Sequence, residues 1–287
     1  MDDGLRMVEV GTCSAWPLPG DPTCAGVARR MFRRAAAGLA VEPAAVDDGV
    51  TMVSELVANT LHVQLEQRPQ QRQLPRGTPE LWLYLRGSGP RRELVCKVFD
   101  SFPGWLRGNV PGRGVPRPPA DALSGRGLEI VHELSRGRWG HHLTRSRLSG
   151  WEVRGKAVWF AVPAGAPRAG VTGPWAREPD RYARMAAGQA MTELETGLAA
   201  RGFSGRMVRA DDPAADMAVL SVCTGLTVWC RAGVAWLRAP GLSGHQWSFS
   251  DLVEVAEQTV QAYETLAARD EPPRFADAAR TWALVPV

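Results

Sequence analysis

The chain has 287 residues, of which 45% are hydrophobic and 22% are charged, and it carries a net charge of +4 with a pI near 9.0. This composition is typical of a soluble globular protein of two domains, and no apolar run approaches the ~20 residues of a membrane helix. The basic pI does not indicate nucleic-acid binding, because the arginines are spread along the chain without a dense basic run.

Cysteine usage and the first residues bear on the cellular compartment. The five cysteines, an odd number without any C-x-x-C pair, are Cys13, Cys24, Cys96, Cys223 and Cys230. This pattern favours small buried thiols over a zinc site or a disulfide framework. The opening Met-Asp-Asp-Gly does not have the composition of a signal peptide. We therefore expect a cytoplasmic protein.

Strand-like pieces over residues 8–18 are followed by two helical patterns, over 22–38 and 44–65. In the second helix, the apolar stripe that includes Val53 and Val57 is predicted to be buried. Glu55 and Asn59 are four residues apart, so they lie on one helix face beside that stripe. A carboxylate and an amide next to a core need hydrogen bonds or an ion, although an ordinary exposed helix face also explains the pair.

Further strands and one more helix are predicted before residue 165. The strands are 81–86, 94–99, 143–145 and 152–162, and the helix is 127–135. Asp100 closes the second of these strands and begins a turn. The segment Gly104–Pro119 is rich in Gly, Pro and Arg and fits no regular element. A structureless stretch of this length is usually functional or disordered.

The sequence predicts a domain over 1–165, a linker rich in Ala, Gly and Pro over 166–177, and a small α+β domain over 178–287. The outline predicted for the second domain is helix–three strands–helix, with a helix ending at Gly202, strands at 218–223, 226–230 and 234–238, and a last helix opened by a capping box at Ser248. It shows no acid pair in a recognisable setting, no metal-ligand spacing and no phosphate loop.

The same outline occurs in double-stranded-RNA-binding domains, which place a basic helix end on phosphates. Here the last helix carries Glu254, Glu257 and Glu264 instead, which argues against RNA. Contact with a partner protein, or formation of a homodimer, is what remains for this domain.

Three stretches of the first domain occur in a recognisable order. They are SELVANTLH at 54–62, VFDSFPG at 98–104 and SGRGLEIV at 124–131. Together they resemble the N, G1 and G2 boxes of the GHKL superfamily of ATP-binding proteins. Their order and spacing are most similar to its serine/threonine kinase branch, the anti-sigma factors, in the actinobacterial form. The resemblance covers about residues 5–165, and three boxes in order are far more specific than one.

The resemblance implies a Bergerat fold, an α/β two-layer sandwich of the histidine-kinase-like ATPase type, that binds ATP with Mg2+. By this resemblance Glu55 is the general base, Asn59 is the Mg2+ ligand, and Asp100 accepts a hydrogen bond from the adenine amino group. The other residues that the boxes imply for nucleotide binding are Phe102, Gly104, Gly125, Arg126, Gly127 and Leu128. The resemblance makes Gly104–Pro119 the lid over the nucleotide. Simpler explanations are a turn cap for Asp100 and an ordinary helix start for the glycines.

Two positions depart from the family pattern. The G1 box usually has glycines two and four residues after its aspartate, but Phe102 takes the first place and Gly104 fits only the second. Gly155-Lys156 stands where the family has a hydroxyl residue before the last strand. Phe102 is placed either to stack on the adenine or to crowd it.

Histidines and lysines distinguish the branches of the superfamily. A sensor kinase needs a phosphoacceptor histidine before the N box, but the first histidine here is His62. Gyrase-like and MutL-like proteins need a lysine from a later domain, and no lysine follows Lys156. The resemblance then implies a kinase that phosphorylates a serine of an anti-anti-sigma protein. The alternative is a non-catalytic nucleotide-binding protein that sequesters a sigma factor.

Overall fold

The computed structural model describes two α+β units. The residues described are 8–10, 13–66, 77–87, 89–102, 104, 126–150, 152–166, 185–240 and 245–267. The chain divides into one unit of residues 1–85 with 89–176 and another of residues 86–88 with 177–287. None of the helices within the described ranges is both long enough and apolar enough to cross a membrane.

The first unit is built on a six-stranded antiparallel sheet with strand order β1-β2-β3-β4-β6-β5. Its strands are β1 (Val8–Val10), β2 (Cys13–Pro17), β3 (Glu80–Arg86), β4 (Glu93–Asp100), β5 (Trp139–Arg145) and β6 (Arg154–Pro163). Its helices are α1 (Cys24–Gly38), α2 (Pro43–Glu66) and α3 (Gly127–Leu134). The predicted helices and strands of this region are all present, and the strand predicted at 143–145 begins earlier, at Trp139.

The hydrophobic core of this unit lies between the helices and one face of the sheet. Alternate residues of β4 and β6, such as Val98 and Phe160, pack there against Phe32 of α1 and Val53 and Val57 of α2. Successive strand residues point to opposite faces, so the even-numbered positions of β4 and β6 face the helices. Asp100 and Lys156, at the ends of β4 and β6, therefore lie on the same side of the sheet as the helices.

The opposite face of the sheet is also buried. Trp82 stacks on Phe99 with 5.6 Å between ring centroids, and the Lys97 ammonium lies 5.3 Å from the centre of the Tyr84 ring. Lys97 Nζ also lies 3.2 Å from Nε2 of His142. A buried lysine is tolerated there because an aromatic face and an imidazole surround its charge.

The second unit is a five-stranded antiparallel sheet with a helix before it and a helix after it. Its elements are α4 (Ala187–Leu198), β7 (Val208–Asp212), β8 (Met217–Cys223), β9 (Leu226–Arg231), β10 (Val234–Arg238), β11 (Gln246–Ser248) and α5 (Leu252–Ala267). The prediction of three strands was wrong, because β7 and β11 form the two edges of the sheet. Edge strands are often short or charged, and so lack the apolar alternation of a central strand.

The acidic residues of α5 do not form an acidic surface. Glu254, Glu257 and Glu264 are all buried, and the Glu257 carboxylate pairs with the guanidinium of Arg201. The sequence-based argument against RNA binding treated these glutamates as surface charges. That argument therefore does not hold for this helix.

All five cysteines are buried thiols outside any disulfide, as the sequence predicts. Burial raises the pKa of the Cys223 thiol to about 11 and that of the Cys230 thiol to about 12. Because the thiolate is the reactive form, we expect a thiol reagent such as Ellman's to react very slowly with the native protein at pH 8. The same reagent should detect five thiols after unfolding in guanidinium. A thiol that reacts rapidly in the native protein would contradict this packing.

Candidate functional site

The Glu55 and Asn59 side chains of α2 meet the beginning of α3. Glu55 is half-buried and Asn59 is exposed, one turn further along the same face. A Cβ atom added to Gly127 would lie 2.9 Å from Glu55 Oε2 and 3.0 Å from Asn59 Nδ2. The two polar ends thus occupy the space that any other side chain at Gly127 would need. Residues of the first and third sequence boxes are therefore in direct proximity.

Gly127 is the first residue of α3, so its backbone N–H belongs to the unsatisfied first turn of the helix. Arg126 precedes it and is exposed, whereas Gly127 is buried and Leu128 is half-buried. Leu128 packs against the core of the unit. Gly125, which the sequence also assigned to this site, lies outside the described residues.

Asp100 ends β4 on the side of the sheet that faces the helices, and its carboxylate is buried. Oδ1 accepts the backbone N–H of Phe102 at 2.9 Å, which is the turn-cap bond that the simpler explanation of Asp100 predicts. Oδ2 accepts a hydrogen bond from Lys156 Nζ at 2.6 Å. Asp100 is therefore both a turn cap and one half of a buried ion pair.

Lys156 is the group that sequence reasoning missed as a partner of Asp100. The two residues are direct Cα partners in the antiparallel pairing of β4 with β6. Lys156 Nζ also donates to the backbone O of Phe102 at 2.7 Å. Gly155 permits this close approach, because a Cβ there would lie 2.1 Å from the backbone O of Asp100. The available signal was a lysine in a mostly apolar strand, in a chain with only two lysines.

The electrostatics of this ion pair are set by burial and by mutual attraction. Burial raises the pKa of the Asp100 carboxyl above its ordinary value, and the Lys156 ammonium opposes that shift. Burial lowers the pKa of the Lys156 amine, and the Asp100 carboxylate opposes that shift. Each group therefore depends on the other to remain charged inside the protein.

Phe102 and Gly104 follow Asp100 and lie close to the ion pair. The Lys156 ammonium lies 5.4 Å from the centre of the half-buried Phe102 ring. A Cβ on Gly104 would lie 3.0 Å from that ring, so a small residue suits this position. Beyond Gly104, the segment up to Pro119 that was predicted as a lid lies outside the described residues.

Oxygen ligands of the kind that Mg2+ prefers are present beside Gly127. The Glu55 carboxylate and the Asn59 amide converge on the space left by the absent Cβ. Within the described residues, no group of three or more His, Cys, Asp or Glu side chains is placed to hold a metal ion. Mg2+ usually takes only one or two protein ligands and completes its shell with phosphates and water. The donors beside Gly127 therefore fit an ion that arrives with a phosphate ligand.

No known protein-family model matches the chain, and no curated protein matches its sequence. The functional assignment of the site therefore depends on its residues and their geometry.

Proposed function

We propose that the first unit is a Bergerat-type domain that binds a purine nucleoside triphosphate, ATP in the family it resembles, together with Mg2+. One observation carries the proposal, namely that Gly127 lies against both Glu55 and Asn59. These residues are distant in sequence, and the fold brings together the helix start and the two polar groups that the resemblance assigns to phosphate and metal. If the short motifs resembled the family only by coincidence, there would be no reason for these residues to lie together in the fold.

The layout of the unit supports this proposal. The sheet is antiparallel, the three helices pack on one of its faces, and Asp100 ends a strand on that same face. Asp100 and Lys156 thus lie on the same side of the sheet as Glu55 and Asn59. A nucleotide-binding site needs one polar group that binds the base and other polar groups that bind the phosphates.

The chain's own residues would divide the work of phosphoryl transfer. Asn59 would hold the Mg2+, which when bound neutralises phosphate charge and aligns the transferred group. The backbone N–H groups at the start of α3 would donate to phosphate oxygens, assisted by the helix dipole. Glu55 would accept the proton of an attacking serine hydroxyl, which is the task of a general base in this chemistry.

On this assignment the protein is a serine/threonine kinase of the anti-sigma type, with an anti-anti-sigma protein as its substrate and a sigma factor as its target. The second unit is assigned to contact with a partner protein or to formation of a homodimer. The alternative is a non-catalytic binder that sequesters a sigma factor.

We expect calorimetry to detect binding of ATP to the full chain in the presence of Mg2+, with weaker binding when Mg2+ is removed by EDTA. The physical reason is that Mg2+ would be attracted both to the Asn59 side-chain oxygen and to the negatively charged phosphates. No heat of binding with ATP, ADP or GTP at millimolar concentration would contradict the proposal. Transfer of labelled γ-phosphate to an anti-anti-sigma protein would then separate the kinase from the non-catalytic binder.

A further inference from the structure

The sheet of the second unit carries both of its helices on one face. α4 packs against β8 and β9, α5 packs against β9, β10 and β11, and the two helices pack against each other. The strand residues turned towards them are apolar and fully buried, and they include Leu220, Val228 and Ala235. Neither α4 nor α5 therefore lies on the opposite face. An antiparallel sheet covered on one side usually has a polar second face, so the side chains found there are informative.

A row of apolar side chains crosses this second face. Direct Cα pairing between neighbouring strands aligns its members, which are Trp236 on β10, Trp229 on β9, Val219 on β8 and Ala210 on β7. The two indole rings stack with 6.1 Å between their centroids and 12° between their planes. Trp229 is 9% exposed, and the stacked rings shield each other, whereas Trp236 and Ala210 are half-buried. The centre of the face is thus apolar where a solvated face would be polar.

Exposed charges border the apolar row. Arg231 lies two residues after Trp229 on β9, and Asp212 lies two residues after Ala210 on β7. Because every second residue of a strand points to the same side, both charged side chains belong to this face. Both residues are exposed. The indole N–H of Trp229 donates to Thr227 Oγ1 at 3.0 Å, so it needs no partner from outside the sheet. An apolar, aromatic centre with a charged rim is typical of a protein–protein interface.

The row is complementary to itself in size. From β10 to β7 it runs large, large, small, small. A two-fold axis parallel to the strands and between β8 and β9 places β9 of one copy over β8 of the other, and β10 over β7. Trp229 then meets Val219 of the second copy, and Trp236 meets Ala210. Sheets packed face to face lie about 10 Å apart with interdigitated side chains, so a large residue of one sheet needs a small residue of the other.

The same axis also brings opposite charges together. Asp212 of the second copy then lies over β10, next to Arg231 on β9, and the reciprocal pair forms on the other side of the axis. A two-fold axis across the strands would instead set each tryptophan ring against its own counterpart. Both the sizes and the charges on this face therefore fit a second copy of the chain in one orientation.

We propose that this face of the second unit packs on the same face of a second copy, and that the protein forms a two-fold homodimer held by the two sheets. The inference selects the homodimer from the two roles assigned to the second unit. It does not depend on the nucleotide site, which lies in the first unit. The occupant is a second copy rather than an unrelated protein, because the face supplies its own complement in size and in charge.

The test is sedimentation velocity of the full chain over a range of micromolar concentrations. We expect the mass to rise with concentration from 31.1 kDa towards twice that value. Trp236→Glu places an unpaired carboxylate in the interface and should weaken dimer formation by roughly 30-fold or more, as for a typical interface hot spot. Arg231→Glu should weaken it less, by setting like charges together at the rim. Thr196→Glu is the matched control, because it adds the same carboxylate at an exposed position of α4.

The outcomes are distinct from those for the nucleotide site. A mass of 31.1 kDa at every concentration overturns the inference, whether another part of the chain or a different protein covers the face. A dimer that neither Trp236→Glu nor Arg231→Glu weakens also overturns it, since the contact then lies elsewhere. Arg231 is exposed, so its variant keeps the test decisive if Trp236→Glu fails to fold. A monomer that binds ATP contradicts only the dimer, and a dimer that binds no nucleotide contradicts only the proposed function.

Discussion

Glu55→Gln is expected to reduce phosphoryl transfer to the serine of a partner protein by roughly 10²- to 10⁴-fold, the usual contribution of a general base. Glutamine has nearly the same shape as glutamate but cannot accept a proton at neutral pH. It can therefore keep the packing of Glu55 against Gly127 at the start of α3. Nucleotide binding should change little, because Asn59 and the helix start are untouched.

The measurement is a single-turnover assay with labelled γ-phosphate, alongside calorimetric titration of the same preparation with nucleotide. Under the proposed function the acceptor is an anti-anti-sigma protein, and a pull-down with the chain from its native cell is the way to obtain it. Asp47→Asn is the matched control, because Asp47 is an exposed acid two turns earlier on α2, and both activities should survive it. Equal loss of binding and transfer in Glu55→Gln would show that Glu55 is structural rather than a base.

Local periodicity was enough to predict most of the first unit. Apolar spacing indicated α2 and placed Glu55 and Asn59 on one face, since four residues make about one helical turn. Alternation of leucines with other residues over 81–86 indicated β3, and the short, mostly apolar run 94–99 indicated β4, and the central residues of both strands are buried. The proximity of Gly127 to α2 was implied by the resemblance alone, because periodicity carries no information on which helix start meets which helix face.

What the sequence did not predict depends on pairing between distant segments. The bond between Asp100 and Lys156 follows from the register of β4 against β6, and a shift of one residue would have pointed the two side chains to opposite faces. The edge strands β7 and β11 were missed for a related reason. The residues of β7, Val-Arg-Ala-Asp-Asp, are half-buried or exposed, so that strand has almost no hydrophobic signal and is defined by its pairing with β8.

Asp100→Ala is expected to lower both the stability of the protein and its affinity for nucleotide. Removing one member of a buried ion pair typically costs about 3–5 kcal/mol of unfolding free energy, because the other charge is left in the interior without a counterion. Here that charge is the Lys156 ammonium, whose side chain is only 5% exposed. The variant also loses the carboxylate assigned to the base, which should weaken nucleotide binding by roughly 10- to 150-fold. Urea unfolding followed by tryptophan fluorescence, and calorimetric titration, measure the two effects.

A second variant separates these effects. In the double variant Asp100→Ala with Lys156→Met, neither charge of this pair remains in the interior, and replacing a buried ion pair by apolar side chains is often neutral or stabilising. Stability should then return towards that of the native protein, while affinity for nucleotide should stay low because the polar groups for the base are still missing. If affinity returned together with stability, Asp100 would act on the nucleotide only through folding. The coupling free energy between the two positions follows from the two single variants and the double, measured in the same buffer.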